Sequence, residues 1–450
     1  MTNPTTDIAV VNNTGSSTAY AYISGLDINN NNVPLFIQSD GKTVYRPANP
    51  SSTQTALTED IAIPLGAAGA TTTITIPQIA GGRIWFSTGS KLTFLVNPGP
   101  AIVEPSVTNT ADPNYNIDWG FAEFTYNTEQ LFVNISYVDF VPPIPVALQL
   151  VNTSGATQTV QGMPAGGLQT VVDKLTQQNA SDGAGWDKLI VTASDGHVLR
   201  ALSPNSGRVL DSSLFNGYFD SYIDQVWSKY ASSDLTIDTQ ASWGTVTGRV
   251  SNDAITFSNV GSFARPSAGD IFSCSTGPFG NYPSGTADEM GAIGARIAAA
   301  FNRSTLLSDA QQPDGEQVAN YYQTSPTNHY ARIVHETNID NRGYAFPYDD
   351  VVPSGSTQPD PAGTVYDGSP QLLTVTLGGP ASNAPAAPGD GKTKDPDTGN
   401  GGNGGSGGSS GSFWDKVKTW FDELKKLLHI GTGSSAAKKI KSKAKAKAKK

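Results

Sequence analysis

A chain of 450 residues with 29 prolines and only 15% charged residues is long enough for more than one core and too rich in turn formers for an all-helical fold. Its net charge of −10 is uneven: the last thirteen residues hold eight lysines, residues 413–430 add one positive charge and residues 380–412 one negative, leaving −18 on residues 1–379. An acidic body of this size repels phosphate backbones, which argues against nucleic acid as its main partner and suits a neutral polymer.

Residues 8–148 alternate in period two and break at turn formers, as in Thr73-Ile74-Thr75-Ile76 and in Ser39-Asp40-Gly41-Lys42. Ile84-Trp85-Phe86 and Leu92-Thr93-Phe94-Leu95 flank Thr88-Gly89-Ser90 and predict a hairpin. Many short strands at such spacing predict a sandwich or barrel, the first part of a β lobe over 1–150. The period then changes. Leu168, Val171, Val172 and Leu175 fall at helical spacing, as do Phe219, Tyr222, Ile223, Val226 and Tyr230, between strand-like runs, so 151–270 is expected to be a mixed α/β lobe. A third helix is predicted over 288–301, followed by strand-like text at 330–334 and 372–377 that returns residues 271–379 to the β lobe. Residues 380–412 are Gly, Pro, Asn and Ser with few large apolar groups, a flexible linker. Phe413, Val417, Trp420, Phe421, Leu424, Leu427 and Leu428 then predict an amphipathic helix ahead of the lysine-rich end. The fold class expected is mainly β, with a groove between the β lobe and the α/β lobe.

In 122–127, Glu123, Thr125 and Asn127 share one strand face and Phe124 and Tyr126 the other. A polar, acid-bearing face suits a cleft floor, and the next run, 131–140, brings in Asp139. Parity places Asp139 in phase with Leu131, Val133, Ile135 and Tyr137, so it must sit at a strand end or past a bulge to reach the same groove. Two carboxyl groups astride one bond can serve as general acid and general base. Residue pattern alone leaves open whether this pair is more than two surface acids.

The segments Ala122-Glu123-Phe124-Thr125, Ile135-Ser136-Tyr137-Val138-Asp139-Phe140 and Tyr344-Ala345-Phe346-Pro347-Tyr348-Asp349-Asp350 resemble, in the same order, motifs of thaumatin-like proteins. With Ile79-Ala80-Gly81-Gly82-Arg83-Ile84-Trp85-Phe86, Asn97-Pro98-Gly99-Pro100, Val103-Glu104-Pro105-Ser106 and Asn328-His329-Tyr330, the text over residues 8–379 is similar to glycoside hydrolase family 64, the laminaripentaose-producing endo-1,3-β-glucanases. The resemblance implies a thaumatin-like β lobe and endo-hydrolysis of β-1,3-glucan with inversion. It implies Glu123 as general acid and Asp139, sixteen residues on, as general base. It further implies sugar contacts by Thr125, Asn127, Asp349, Asp350 and Phe132, where the family can carry tryptophan. The other reading carried forward is a non-catalytic thaumatin-like β-glucan-binding protein.

Cys274 is the only cysteine, so no intrachain disulfide forms, a departure from secreted members of these families, and the residue reads as a small buried side chain. His197, His329 and His335 show no metal-ligand spacing, and no metal or cofactor is expected. The tryptophans at 85, 119, 186, 227 and 243 are expected in the core rather than as sugar platforms, with Trp119, just before Glu123, the best exception. The chain is expected to act as a monomer, with its basic tail meeting an anionic surface or membrane or docking on the acidic body. The family points to the extracellular space or cell wall, whereas the first residues lack a signal peptide and allow a cytoplasmic place.

Overall fold

A computed structural model describes residues 2–356 and 360–380; the linker from 381 and the amphipathic and lysine-rich segment lie outside the described residues. All described residues but Gln240–Gly244 belong to one compact unit. The bend Gln240–Gly244 is held by the Gly244 amide donating to the Ala241 carbonyl at 3.0 Å. Trp243 in it is 40% exposed, against the core position expected, whereas Trp85, Trp119, Trp186 and Trp227 are buried.

Two sheets form the β part. The smaller orders Thr157–Val160, Val146–Asn152, Pro370–Leu377, Thr5–Asn12 and Thr71–Pro77. Its only parallel pair joins the first and last of these strands in the sequence, Ile8 opposite Leu373 and Val10 opposite Val375. The larger sheet runs Thr364–Asp367, Leu131–Ile135, Asp118–Tyr126, Ile79–Thr88, Ala19–Asp27, Val33–Ile37 and Val44–Tyr45, antiparallel throughout. Register aligns Ile23, Ile84, Ala122 and Ile135 in one row, all buried, and the three isoleucines share a core with Ile8, Val10, Ile74 and Val375 of the smaller sheet. Because alternate residues point to opposite faces, the next row, Ser24, Arg83, Glu123 and Asn134, stands on the other face.

The expected hairpin at 88–90 does not form. The strand Ile79–Thr88 is central, flanked by Ala19–Asp27 and Asp118–Tyr126, so it has no free edge for the following run. Leu95–Asn97 pairs instead with Ala101–Val103 and Thr55–Ala56 in a separate sheet.

The α/β part holds helices Gly167–Asp182, Asp220–Ser232 and Ala287–Arg303, which bury the stripes that predicted them. Residues 330–334 are not a strand but part of the helix His329–Thr337, capped by the Asn328 side chain accepting from the Ala331 amide. The β-branched Ile333 and Val334 suggested extended chain, but Tyr330, Ile333, Val334 and Thr337 recur at helical spacing and are buried together. After the larger sheet, Phe140–Val141 pairs with Val198–Leu202 in a separate three-stranded sheet, and the chain passes through Val146–Asn152 and Thr157–Val160 of the smaller sheet before the first of these helices.

Candidate active site

Glu123 sits mid-strand, directly opposite Arg83 on one side and Asn134 on the other. The pairing with Ile79–Thr88 is irregular between Phe124 and Tyr126, where Ala80 and Gly81 of that strand stand against the single residue Thr125, a bulge in Ile79–Thr88. Space makes Gly82 necessary there, since a Cβ on it would lie 2.4 Å from the Phe124 ring. Phe124 and Tyr126 point into the core, so they do not surround the Glu123 carboxyl as their adjacency in the sequence suggested.

Arg83 organises the acids. Its Nη2 stands 3.4 Å from Glu123 Oε1 while Nη1 donates a short bond to Glu104. Beneath it the guanidinium lies 4.8 Å from the Phe121 ring centroid and 5.3 Å from that of Trp85, which fixes its plane. Asp139 follows the end of the strand Leu131–Ile135, in a bend past the Ser136–Tyr344 bridge, as parity required. The Ser203 amide donates to the Asp139 carbonyl at 2.9 Å, and the Tyr330 hydroxyl to the Tyr137 carbonyl at 2.6 Å, fixing the bend. Burial pushes the Asp139 carboxyl above the usual carboxylate range, Arg83 opposes that and the Glu123 charge adds to it. Glu104 is likewise raised by burial, against Arg83 and with Glu123 and Asp139. The side chains stay reachable: Arg83 is 14%, Glu123 25% and Glu104 32% exposed.

The other predicted site residues divide. Thr125 is buried opposite Phe132, one step along the Glu123 face, and Phe132 lies 6.5 Å from Tyr366 with nearly parallel rings. Asn127 lies just beyond the strand, where its Oδ1 accepts from the Glu129 and Gln130 amides, both at 2.9 Å, and closes the turn; its amide nitrogen is what it can offer a sugar. Asp350 is exposed and accepts from the Tyr344 hydroxyl at 3.1 Å. Asp349 is fully buried, 3.2 Å from Arg303 and 2.9 Å from His335, and presents no carboxylate to a ligand in this arrangement. What it holds is the loop behind Asp350, which is stitched to the Asp139 segment by Tyr344 donating to Ile135 at 3.1 Å and accepting from the Tyr137 amide at 2.7 Å.

Sequence reading passed over Arg83 and Glu104. The available signal was a lone arginine between Ile79 and Trp85 in an otherwise apolar strand, a position that needs a buried partner. Among the described residues no group of His, Cys, Asp and Glu is placed to hold a metal.

A family model described as "Beta-1,3-glucanase", glycoside hydrolase family 64, matches residues 4–377. A glucan endo-1,3-β-glucosidase of Cellulosimicrobium cellulans is 30% identical over 73% of this chain, and the chain spans 58% of that relative's length; one from an Arthrobacter strain matches equally. The crystal structure of a laminaripentaose-producing β-1,3-glucanase in complex with laminaritetraose superposes with a TM-score of 0.71 at 33% identity, covering 83% of this chain and 99% of that one. A β-1,3-glucanase domain from Clostridium beijerinckii gives 0.64 at 25% identity, covering 83% and 98%. With its carboxylates, their arginine and the strands that carry them all inside the matched region, the chain belongs to glycoside hydrolase family 64, the β-1,3-glucanases.

Proposed function

We propose that this protein hydrolyses β-1,3-glucan internally, with Glu123 and Asp139 as the reacting carboxyl groups. The observation that carries the reading is their convergence on Arg83, Glu123 from the middle of the strand Asp118–Tyr126 and Asp139 from the bend after Leu131–Ile135. In the proposed reaction Glu123 protonates the glycosidic oxygen as it leaves. Asp139 takes a proton from the water that attacks the anomeric carbon from the opposite side, giving inversion. The raised Asp139 makes it the stronger base once ionised. Thr125, Asn127, Phe132 and Asp350 would line the glucan's path, with Phe132 and Tyr366 giving an aromatic surface. We assign Asp349 to the support of that path. A polymeric substrate places the work outside the cell or at a wall, and the lysine-rich tail would hold the enzyme to an anionic surface.

The test is reducing-sugar release from laminarin by wild type, Glu123→Gln and Asp139→Asn, with product anomers followed by NMR. Both variants should fall by 100-fold or more, on the order of what general acid–base catalysis supplies, and wild type should release α-anomers. The raised Asp139 also favours a second reading in which the roles are exchanged. Aryl laminarioligosaccharides with acidic leaving groups separate the two, because only the variant lacking the general acid recovers on them. Wild type that binds laminarin without cleaving it would return the chain to the binding-protein reading.

A further inference from the structure

Three carboxylates and one guanidinium meet at this site, and the reaction as proposed uses only two of the acids. Glu104 comes from a different sheet: it follows the strand Ala101–Val103 and precedes Pro105, a position confined to extended backbone, which fixes the direction of its side chain. It takes the closer share of Arg83, whose other amino nitrogen stands 3.4 Å from Glu123. Arg83 cannot swing away from this division, because its plane rests on Phe121 and Trp85.

We propose that Glu104 is a positioning residue for the hydrolysis, holding Arg83 so that its charge is divided between two carboxyl groups rather than given to Glu123 alone. The inference rests on Glu123 and Asp139 being the reacting pair. The ionisable groups facing the cluster are Arg83 and Glu123 from the larger sheet, Glu104 from the segment after Ala101–Val103 and Asp139 from the bend. Tyr330 of the helix His329–Thr337 stands behind Asp139, with Tyr137 beside it. Glu104 acts in two ways, and both have the same sign. Its negative charge disfavours ionisation of the other two acids, and its claim on Arg83 withholds the cation that would favour it. Removing the charge therefore lowers the proton affinity of the pair as a whole.

The test compares full-length wild type, Glu104→Gln, Glu104→Ser and Glu104→Asp by the pH dependence of kcat/KM on laminarin. Glu104→Gln should move both limbs of the profile toward acid by about one pH unit, costing roughly tenfold on the basic side, with KM nearly unchanged. Glu104→Ser, which leaves room for water at a half-exposed place, should shift the limbs alike and carries the test if the glutamine variant does not fold. Glu104→Asp keeps the charge and should hold the limbs within about half that shift. Unmoved limbs overturn the inference, as does a displaced aspartate profile equal to the glutamine one. A rise in KM at constant kcat overturns it too, making Glu104 a sugar ligand. Glu123→Gln and Asp139→Asn run beside these: activity in either removes the catalytic pair, whereas inactivity of both with unmoved Glu104 limbs removes only this inference.

Discussion

Arg303 and His335 converge on Asp349 in a fully buried place, at 3.2 Å and 2.9 Å, while the Ala345 amide donates to it at 3.1 Å. Burial by itself pushes this carboxyl up; His335 and then Arg303 overcome it and hold the carboxyl below its ordinary range. A depressed carboxyl stabilises the fold above its unfolded value, about 4, and that contribution is lost as pH falls through the folded one. Arg303 also lies 3.5 Å from Glu316, but a single remaining carboxylate would leave a buried guanidinium poorly matched. Asp349→Asn should therefore cost about 3–5 kcal/mol at neutral pH, and the gap from wild type should narrow as the solution is acidified. Urea unfolding at pH 7 and below pH 4 checks this, and an equal gap at both would show that the carboxylate charge is not what matters. The activity of any folded Asp349 variant should fall with its stability, since the residue acts through the loop that presents Asp350.

At the scale of the strand, the site depends on one missing side chain. Gly82 lies opposite Phe124, and a Cβ there would meet the ring at 2.4 Å, while Phe124 is itself 3% exposed and has nowhere to turn. Gly82→Val should cost about 1–3 kcal/mol from overpacking and, by displacing the bulge, reduce the rate by more than its effect on folding explains. A variant with the melting temperature and laminarin activity of wild type would show that the two strands can separate without moving Glu123. This pairing also shows what the sequence made legible. Period two placed Glu123 and Thr125 on one face, because that information is local to 122–126. Parity likewise required the break that carries Asp139 out of its strand. What escaped was long-range: that Arg83 stands opposite Glu123, and that Glu104 arrives from another sheet, are facts of register between segments 20 to 40 residues apart. The same limit produced the hairpin that does not form, since nothing near residue 89 reveals that its strand already has two neighbours. The helix His329–Thr337 was misread for a different reason: β-branched composition outweighed a helical spacing that was present.

For the whole molecule, the question is where the working body ends. The strand Pro370–Leu377 lies between Thr5–Asn12 and Val146–Asn152, and its Leu373, Val375 and Leu377 are buried, so it closes the smaller sheet from within. The family match also stops at residue 377, although the chain continues for another 73 residues that carry the lysine-rich end. The body through 379 holds −18 and the remainder the compensating positive charge. A chain truncated after residue 379 should therefore fold, melt close to the full chain and hydrolyse laminarin within about twofold of it. A chain truncated after residue 369 loses a central strand and should not fold. Only the full chain should sediment with anionic vesicles, and it should release as salt rises past the range where surface charges are screened. Should the 379 truncation lose activity while keeping its melting temperature, the tail would have to be counted as part of the glucan-handling surface. Should it lose both, the tail would be part of the fold, and the acidic body would be the surface that the lysines serve.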